Sequence, residues 1–302
     1  IPYSTRFNFY IGMWNEFGYT EPICWDPTAK TYIVGVTTQA YRDALVYLNR
    51  LYKEGLLDQE YLTNTTALWQ QKVSAGQVGV FHDNLARRNW LNTIFKQADA
   101  STTKMVEFLP PLPDSKGRRY HRLGWDLSRA AAITKVNKNP VETMKFLDYF
   151  YSPEGSNVLN FGIEGVHYKV ENGKKVLLVT PDELNKKYYA TGGNFWPGVR
   201  SLEYNDVTDP SFGVNYRFIQ QWGSRESIAP PIRITPAEND LLKEVKPAVT
   251  KYVDENTNKF IMGTRPIAEW NDYVKQLESL GIAKLLKVNL DALARYNRMF
   301  GR

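Results

Sequence analysis

Residues Asn139–Val170 read NPVETMKFLDYFYSPEGSNVLNFGIEGVHYKV, and this stretch decides the fold. Pro140 suits a first helical turn, Asn139 can cap it, and Glu142 favours the positive end of the helix dipole. Met144, Leu147, Asp148 and Tyr151 fall on successive turns. Phe146, Tyr149 and Phe150 then make the segment apolar nearly all round, which predicts a buried helix. Ser152–Pro153–Glu154 reads as the cap and first turn of a second, shorter helix. That helix stops at Asn160–Phe161–Gly162, where glycine can take the positive φ of a helix end. Gly165 permits another sharp turn before a strand over His167–Val170.

Working outward, Thr38 caps an amphipathic helix whose stripe is Tyr41, Ala44, Leu45, Leu48, Leu51 and Tyr52, closed by Gly55. Lys30–Val36 is hairpin-like. A second helix over Ala67–Ser74 stops at Gly76 and leads to an apolar strand, Val78–Phe81. His82–Asp83–Asn84 follows, with Asp83 or Asn84 able to cap a helix carrying Arg87, Arg88 and Trp90; such strand-to-helix junctions are where α/β proteins place ligand contacts. Val106–Leu109 reads as a further strand, closed by Pro110, Pro111 and Pro113. Ala130–Thr134 reads as another. Asn172–Gly173 predicts a type I′ hairpin turn between Tyr168–Glu171 and Lys174–Val179. The remainder is largely helical over Pro210–Gln221, Pro236–Phe260, Pro266–Leu280 and Ala283–Met299.

The bulk numbers exclude several classes. The chain has 302 residues, 43% hydrophobic and 23% charged, as folded soluble chains have. Its net charge of +6 is spread thinly, and Arg87–Arg88 and Lys116–Arg119 are too short for a nucleic-acid tract. No apolar run approaches the roughly twenty residues of a membrane span. The single cysteine, Cys24, excludes an internal disulfide. His82, His121 and His167 have no partners at metal-ligand or triad spacing, and no HExxH, GxSxG or phosphate-cradling loop occurs. Aromatics reach 14%, with 8 Trp and 19 Tyr; they serve large cores or flat surfaces on which sugar rings stack.

NKNPVET (137–143), YSPEG (151–155) and NFGIEGVHY (160–168) resemble the extracellular solute-binding proteins of family 1, which deliver sugars to ABC importers. Within that family the likeness is greatest to the oligosaccharide binders, including the alginate-binding members. KEGLLD (53–58) and FIMG (260–263) fit the same pattern. The resemblance implies an α/β fold of the periplasmic-binding-protein type II, with two hinged lobes and only the C-terminal portion present. It divides the chain into 1–117 (lobe two), 118–182 (a returning piece of lobe one) and 183–302 (the helical end of lobe two). A signal and roughly two hundred residues of first lobe are then expected before Ile1. So is the EF-hand-type calcium loop of relatives; no other cofactor is expected.

The resemblance also implies the function: a monomeric, exported binder, periplasmic or a surface lipoprotein, that holds an oligosaccharide between its lobes and docks on the importer's permease subunits. His82–Asp83 matches a His–Asp pair at the cleft edge of the alginate binders. The next residue there is a tryptophan and here is Asn84; Trp90 either replaces that ring or packs in the helix core. Trp196, with Phe195, matches an aromatic pair of the relatives and lies in a Gly- and Pro-flanked loop, outside any apolar period. A further cleft tryptophan of the relatives is replaced at best by Tyr204. Trp125 and Arg129 face the cleft, or Trp125 packs under the hairpin. Arg87, Arg88 and Arg129 suit a ligand with carboxylates, because the guanidinium fork donates two parallel hydrogen bonds. The alternative class is a polysaccharide-processing glycosidase or lyase, which needs two carboxyl groups facing across a cleft.

Overall fold

The computed structural model describes residues 1–5, 21–83, 86–102, 105–111, 121–122, 132–180, 183–184, 187, 201, 203–204, 207, 210–224 and 228–301. It separates into two compact units, Ile1–Gly124 with Trp222–Arg302, and Trp125–Gln221.

Unit one is built on two helices far apart in sequence. Helix α1, Gln39–Lys53, is capped by Thr38, whose hydroxyl oxygen accepts from the Tyr41 backbone N–H. It buries Tyr41, Ala44, Leu45, Leu48 and Leu51, the stripe its 3.6-residue period marks out. Opposite lies the long helix Pro236–Met262, which contributes Val245, Val249, Val253, Phe260 and Ile261 to the same core. Polar groups fix the register of this pair. The Tyr41 and Thr257 hydroxyls lie 2.6 Å apart, and the Asn49 amide donates to the carbonyls of Phe260 (3.1 Å) and Ile261 (2.9 Å). These carbonyls sit in the last turn, where helical partners run out, so a side chain from α1 satisfies the end of its neighbour. Tyr273 and Leu277, from the helix Trp270–Ser279, close the core with Ile282 and Leu285, from the helix Ile282–Phe300.

The start of the long helix is tied down electrostatically. Thr235 and Glu238 form a capping box, and Arg295 donates to both carboxylate oxygens of Glu238, at 2.8 and 2.6 Å. The Arg295 bonds, then those from Thr235, hold the Glu238 carboxyl down at about 2, against an ordinary 4.5. A depressed folded pKa stabilises the fold above the unfolded value, and that stability disappears as pH falls from about 4.5 toward 2. Glu238→Gln is therefore expected to flatten this part of the acid dependence. Urea midpoints measured for both proteins between pH 5.5 and about 2.5 check it.

The strands are short. β1 (Tyr3–Ser4) pairs in parallel with β4 (Val80–Phe81), while β2 (Ile23–Asp26) and β3 (Thr31–Val34) form an antiparallel hairpin with Lys30 at φ 51°. β5 (His121–Arg122) pairs in parallel with β8 (Gly223–Ser224), so the segments on either side of unit two run side by side within unit one. Val106–Leu109 forms no ladder, contrary to the sequence reading. The Asn92 amide takes the place of a neighbouring strand: it donates to the Val106 carbonyl at 3.1 Å and accepts from the Val106 N–H at 2.6 Å.

Unit two contains the stretch that opened the sequence analysis. Helices Pro140–Tyr149 and Pro153–Phe161 form, the second capped by the Ser152 hydroxyl. Gly155 sits where an added Cβ would land on the Tyr149 carbonyl, so the two helices meet through a position open only to glycine. Gly162 ends the pair at φ 79°, and a Cβ there would lie 2.5 Å from His167 Nδ1, which accepts from the Ile163 N–H. The hairpin follows, β6 (Tyr168–Glu171) with β7 (Lys174–Leu177), and its turn residues Asn172 and Gly173 take φ 51° and 75°, as a type I′ turn requires.

One expectation fails here. The helix Pro140–Tyr149 buries no residue; Phe146 is 61% exposed and Val141 59%. An apolar circumference shows what a helix needs as neighbours; it does not supply them. The boundaries also differ from the sequence division at 117 and 182, since the units part at 124 and 221. Leu184 and Tyr204 pack with Phe161 and Tyr168 in one cluster, which keeps the segment after residue 182 with unit two.

Candidate functional site

Of the described candidate residues, His82, Asp83, Arg87 and Trp90 follow the end of β4, whereas Tyr204 lies in unit two. Trp69, on the helix Thr66–Ser74, is fully buried with the edge of its ring on Phe81, centroids 5.2 Å apart, and so supports the last strand residue from beneath. The chain then presents His82 and Asp83 before the helix Ala86–Ala98. The Asp83 carboxylate is almost wholly buried and lies 3.3 Å from Arg87 Nε. Arg87 in turn stacks its guanidinium over Trp90, 4.9 Å from the ring centroid. Trp90 is 37% exposed. The order is physical as well as sequential: a buried carboxylate fixes a cation, the cation fixes an indole, and the indole faces solvent.

Of the two readings of Trp90, a replacement ring or helix core, the exposure removes the helix core. The core position of that helix is taken by Leu91, which is fully buried with Trp69 and Val73. Arg88 has a different role. It makes a two-pronged ion pair with Glu107, at 2.8–3.2 Å, and lies over Phe108. Its charge is already answered, so the argument that Arg88 awaits an acidic ligand loses its footing. Glu107 was missed in the sequence because its segment read as a strand, and nothing in spacing links residues 88 and 107.

Tyr204 belongs to the core of unit two, 5% exposed, with its ring edge-on to Phe161 at 5.4 Å. It supplies packing there and not an open stacking face. Asn84, Trp125, Arg129 and Trp196 lie outside the described residues. Among the described residues no group of three or more His, Cys, Asp or Glu side chains could hold a metal ion, and no helix is long and apolar enough to cross a membrane.

The fold is that of a periplasmic-binding-protein-like solute-binding protein. The alginate-binding protein AlgQ2, in a crystal structure without calcium ion, superposes with a TM-score of 0.61 at 25% identity, over 97% of this chain and 63% of that one. By sequence, the fructooligosaccharide ABC transporter substrate-binding protein FusA of Streptococcus pneumoniae is 22% identical over 271 residues, 82% of this chain and 47% of that one. An uncharacterized protein in the butB 5′ region of Niallia circulans is 27% identical over 245 residues, 78% of this chain and 93% of that one. No family model matches. The chain is thus similar to sugar-binding proteins, one of them by name the substrate-binding protein of an ABC transporter, and it spans about half of FusA and just under two thirds of AlgQ2. By name AlgQ2 binds alginate and FusA is the substrate-binding protein of a transporter; neither is named as an enzyme.

Proposed function

We propose that the chain forms the greater part of the substrate-binding component of a carbohydrate ABC importer, and that it binds an oligosaccharide without altering it. The observation that carries this reading is the agreement of fold and sequence with AlgQ2 across 97% of the chain. The partners proposed with it are the importer's permease subunits, reached by a monomeric, exported protein held at the periplasm or on the cell surface. The lobes close around the ligand by a hinge motion, the usual device of such binders. On the described side of the site, Trp90 is the ring that meets a sugar face, and Asp83 acts through Arg87 to hold it. Trp196 is proposed as a second ring, with His82, Asn84, Trp125 and Arg129 around the same ligand. Uronate groups in the ligand are part of the proposal: alginate is what AlgQ2 binds by name, and a carboxylate would meet the edge of Arg87 not used by Asp83.

The test uses the protein from its complete reading frame with oligouronates and with neutral fructo-oligosaccharides. A binder raises its melting temperature and returns the sugars intact; shortened chains would mean hydrolysis and would sink the reading. Trp90→Ala is expected to weaken the bound oligosaccharide by about 1–3 kcal/mol, roughly one to two decades in Kd. Its unfolding midpoint should stay nearly unchanged, because the ring is a third open to water. Calorimetric titration of both proteins checks the pair of values. Equal affinity for neutral and uronate ligands would remove the acidic part alone.

A further inference from the structure

Beside the end of β4 lies a buried polar network that packing alone does not call for. β1 runs parallel to β4, with Tyr3 level with Val80 and Ser4 with Phe81; Thr5 and His82 are the residues that follow the two strands. Ser4, Thr5 and Asn64 are fully buried, and Asp58 and Lys72 nearly so. Asn64 uses both amide donors and its oxygen here. It donates to the Thr5 carbonyl at 3.0 Å and to Asp58 Oδ2 at 2.8 Å, and it accepts from Lys72 at 2.8 Å. Asp58 also accepts from the Ser4 hydroxyl at 2.6 Å and from the Glu60 N–H at 3.1 Å. Main-chain bonds hold the strand one residue earlier: the Tyr3 N–H donates to the Leu56 carbonyl at 2.9 Å, and the Asp58 N–H to the Tyr3 carbonyl at 2.8 Å. Apolar side chains of the same volume often stabilise such a place as well or better. What a fully satisfied polar network adds is a single geometry.

We infer that this network positions the ligand site, with Asn64 as its positioning residue: by holding the Thr5 carbonyl, Asn64 fixes the end of β1 beside the strand end that presents His82 and Asp83, and oligosaccharide affinity depends on it. The inference rests on the functional reading above, which puts His82 and Asp83 at the ligand. Two observations carry it. The side-chain bonds converge on Ser4 and Thr5, at the carboxyl end of a parallel pair, which is the edge where α/β sheets place ligands. The same short helix, Thr66–Ser74, also holds both strand ends: Trp69 supports Phe81, and Lys72 orients Asn64 against Thr5. The two ends are therefore fixed relative to each other by one rigid element, and Asn64 is the link on the β1 side.

The experiment compares Asn64→Leu, close in volume but without the three bonds, with Leu277→Ala, a truncation of a fully buried side chain on the helix Trp270–Ser279, which is not part of the site. Both are made in the protein from its complete reading frame. Both lose stability, so each is titrated with oligouronates and fructo-oligosaccharides at a temperature where it stays folded. Asn64→Leu should weaken binding about ten-fold, while Leu277→Ala leaves Kd within about two-fold of the parent. Should Asn64→Leu not fold, Ser4→Ala removes a single hydroxyl and should still weaken binding about three-fold. Hydrogen exchange without ligand gives the second measure: amides over Val78–Asp83 should exchange at least about ten-fold faster in Asn64→Leu, or about three-fold faster in Ser4→Ala, and at the parent's rate in Leu277→Ala. Equal losses of affinity in Asn64→Leu and Leu277→Ala, or unchanged exchange over Val78–Asp83 in the Asn64 and Ser4 variants, overturn the inference and leave Asn64 with a role in stability alone. A parent that binds none of these sugars sinks the functional reading instead, and the ligand-free exchange then still decides whether Asn64 holds the strand ends.

Discussion

Lys72→Met is expected to lower stability by about 3–5 kcal/mol, the cost of removing one partner of a buried ion pair. Lys72 Nζ lies 3.1 Å from Asp58 Oδ2, 2.8 Å from Glu60 and 2.8 Å from the Asn64 amide oxygen, and the lysine and aspartate side chains are only 10% and 3% exposed. The carboxylate also accepts from the Ser4 hydroxyl at 2.6 Å and from Asn64 at 2.8 Å. Burial pushes the Asp58 pKa up, but the bonds from Ser4, Asn64, the Glu60 backbone and Lys72 outweigh it, and the carboxyl sits below its ordinary value. Without the cation a buried charge remains with neutral donors only. Asp58→Asn combined with Lys72→Met should recover part of the loss, because no unpaired charge is then left inside. Urea unfolding of the single and double variants measures both. A single variant within about 0.5 kcal/mol of the parent would mean that water reaches Asp58 and that the network is a surface feature.

Trp69→Ala is expected to cost a similar amount, about 3–5 kcal/mol, because it removes a fully buried indole and leaves a cavity. It should also weaken ligand binding without removing any contact with ligand. Trp69 holds Phe81, and Phe81 is followed directly by His82 and Asp83, so a strand end that settles into the cavity carries the site with it. Trp69→Phe separates the two effects. The indole N–H has no hydrogen-bond partner among the described residues, so phenylalanine keeps most of the apolar volume and discards an unsatisfied donor, at an expected cost under about 1.5 kcal/mol. Unfolding midpoints and oligosaccharide titrations of the two variants give the comparison. Full binding by Trp69→Ala at a temperature where it stays folded would show that Phe81 does not position the site.

Both predictions concern residues that carried no functional signal in the sequence, and the reason is geometric. Lys72 and Trp69 are three apart on one short helix; their partners Asp58 and Phe81, and Ser4, which donates to Asp58, come from segments that only the fold brings together. Periodicity reports which face of a helix is buried; it cannot report what lies across from that face.

The sequence by itself determined most of the elements and the family likeness. Thr38 and its stripe, the Ser152 cap, the positive-φ glycine at 162, the Asn172–Gly173 turn and the helical C-terminal third all depend on local chemistry, and all stand in the structure. Family likeness resided in local motifs too, since NFGIEGVHY is a helix end, a turn and a strand start in nine residues. Tertiary structure alone decided the rest. It neutralised Arg88 with Glu107 nineteen residues away, placed Tyr204 in a core, and let Asn92 stand in for the partner of a strand that never formed. It also left the helix Pro140–Tyr149 uncovered, because burial depends on which chain is present to pack against an apolar face, and no count of apolar residues along the helix contains that partner.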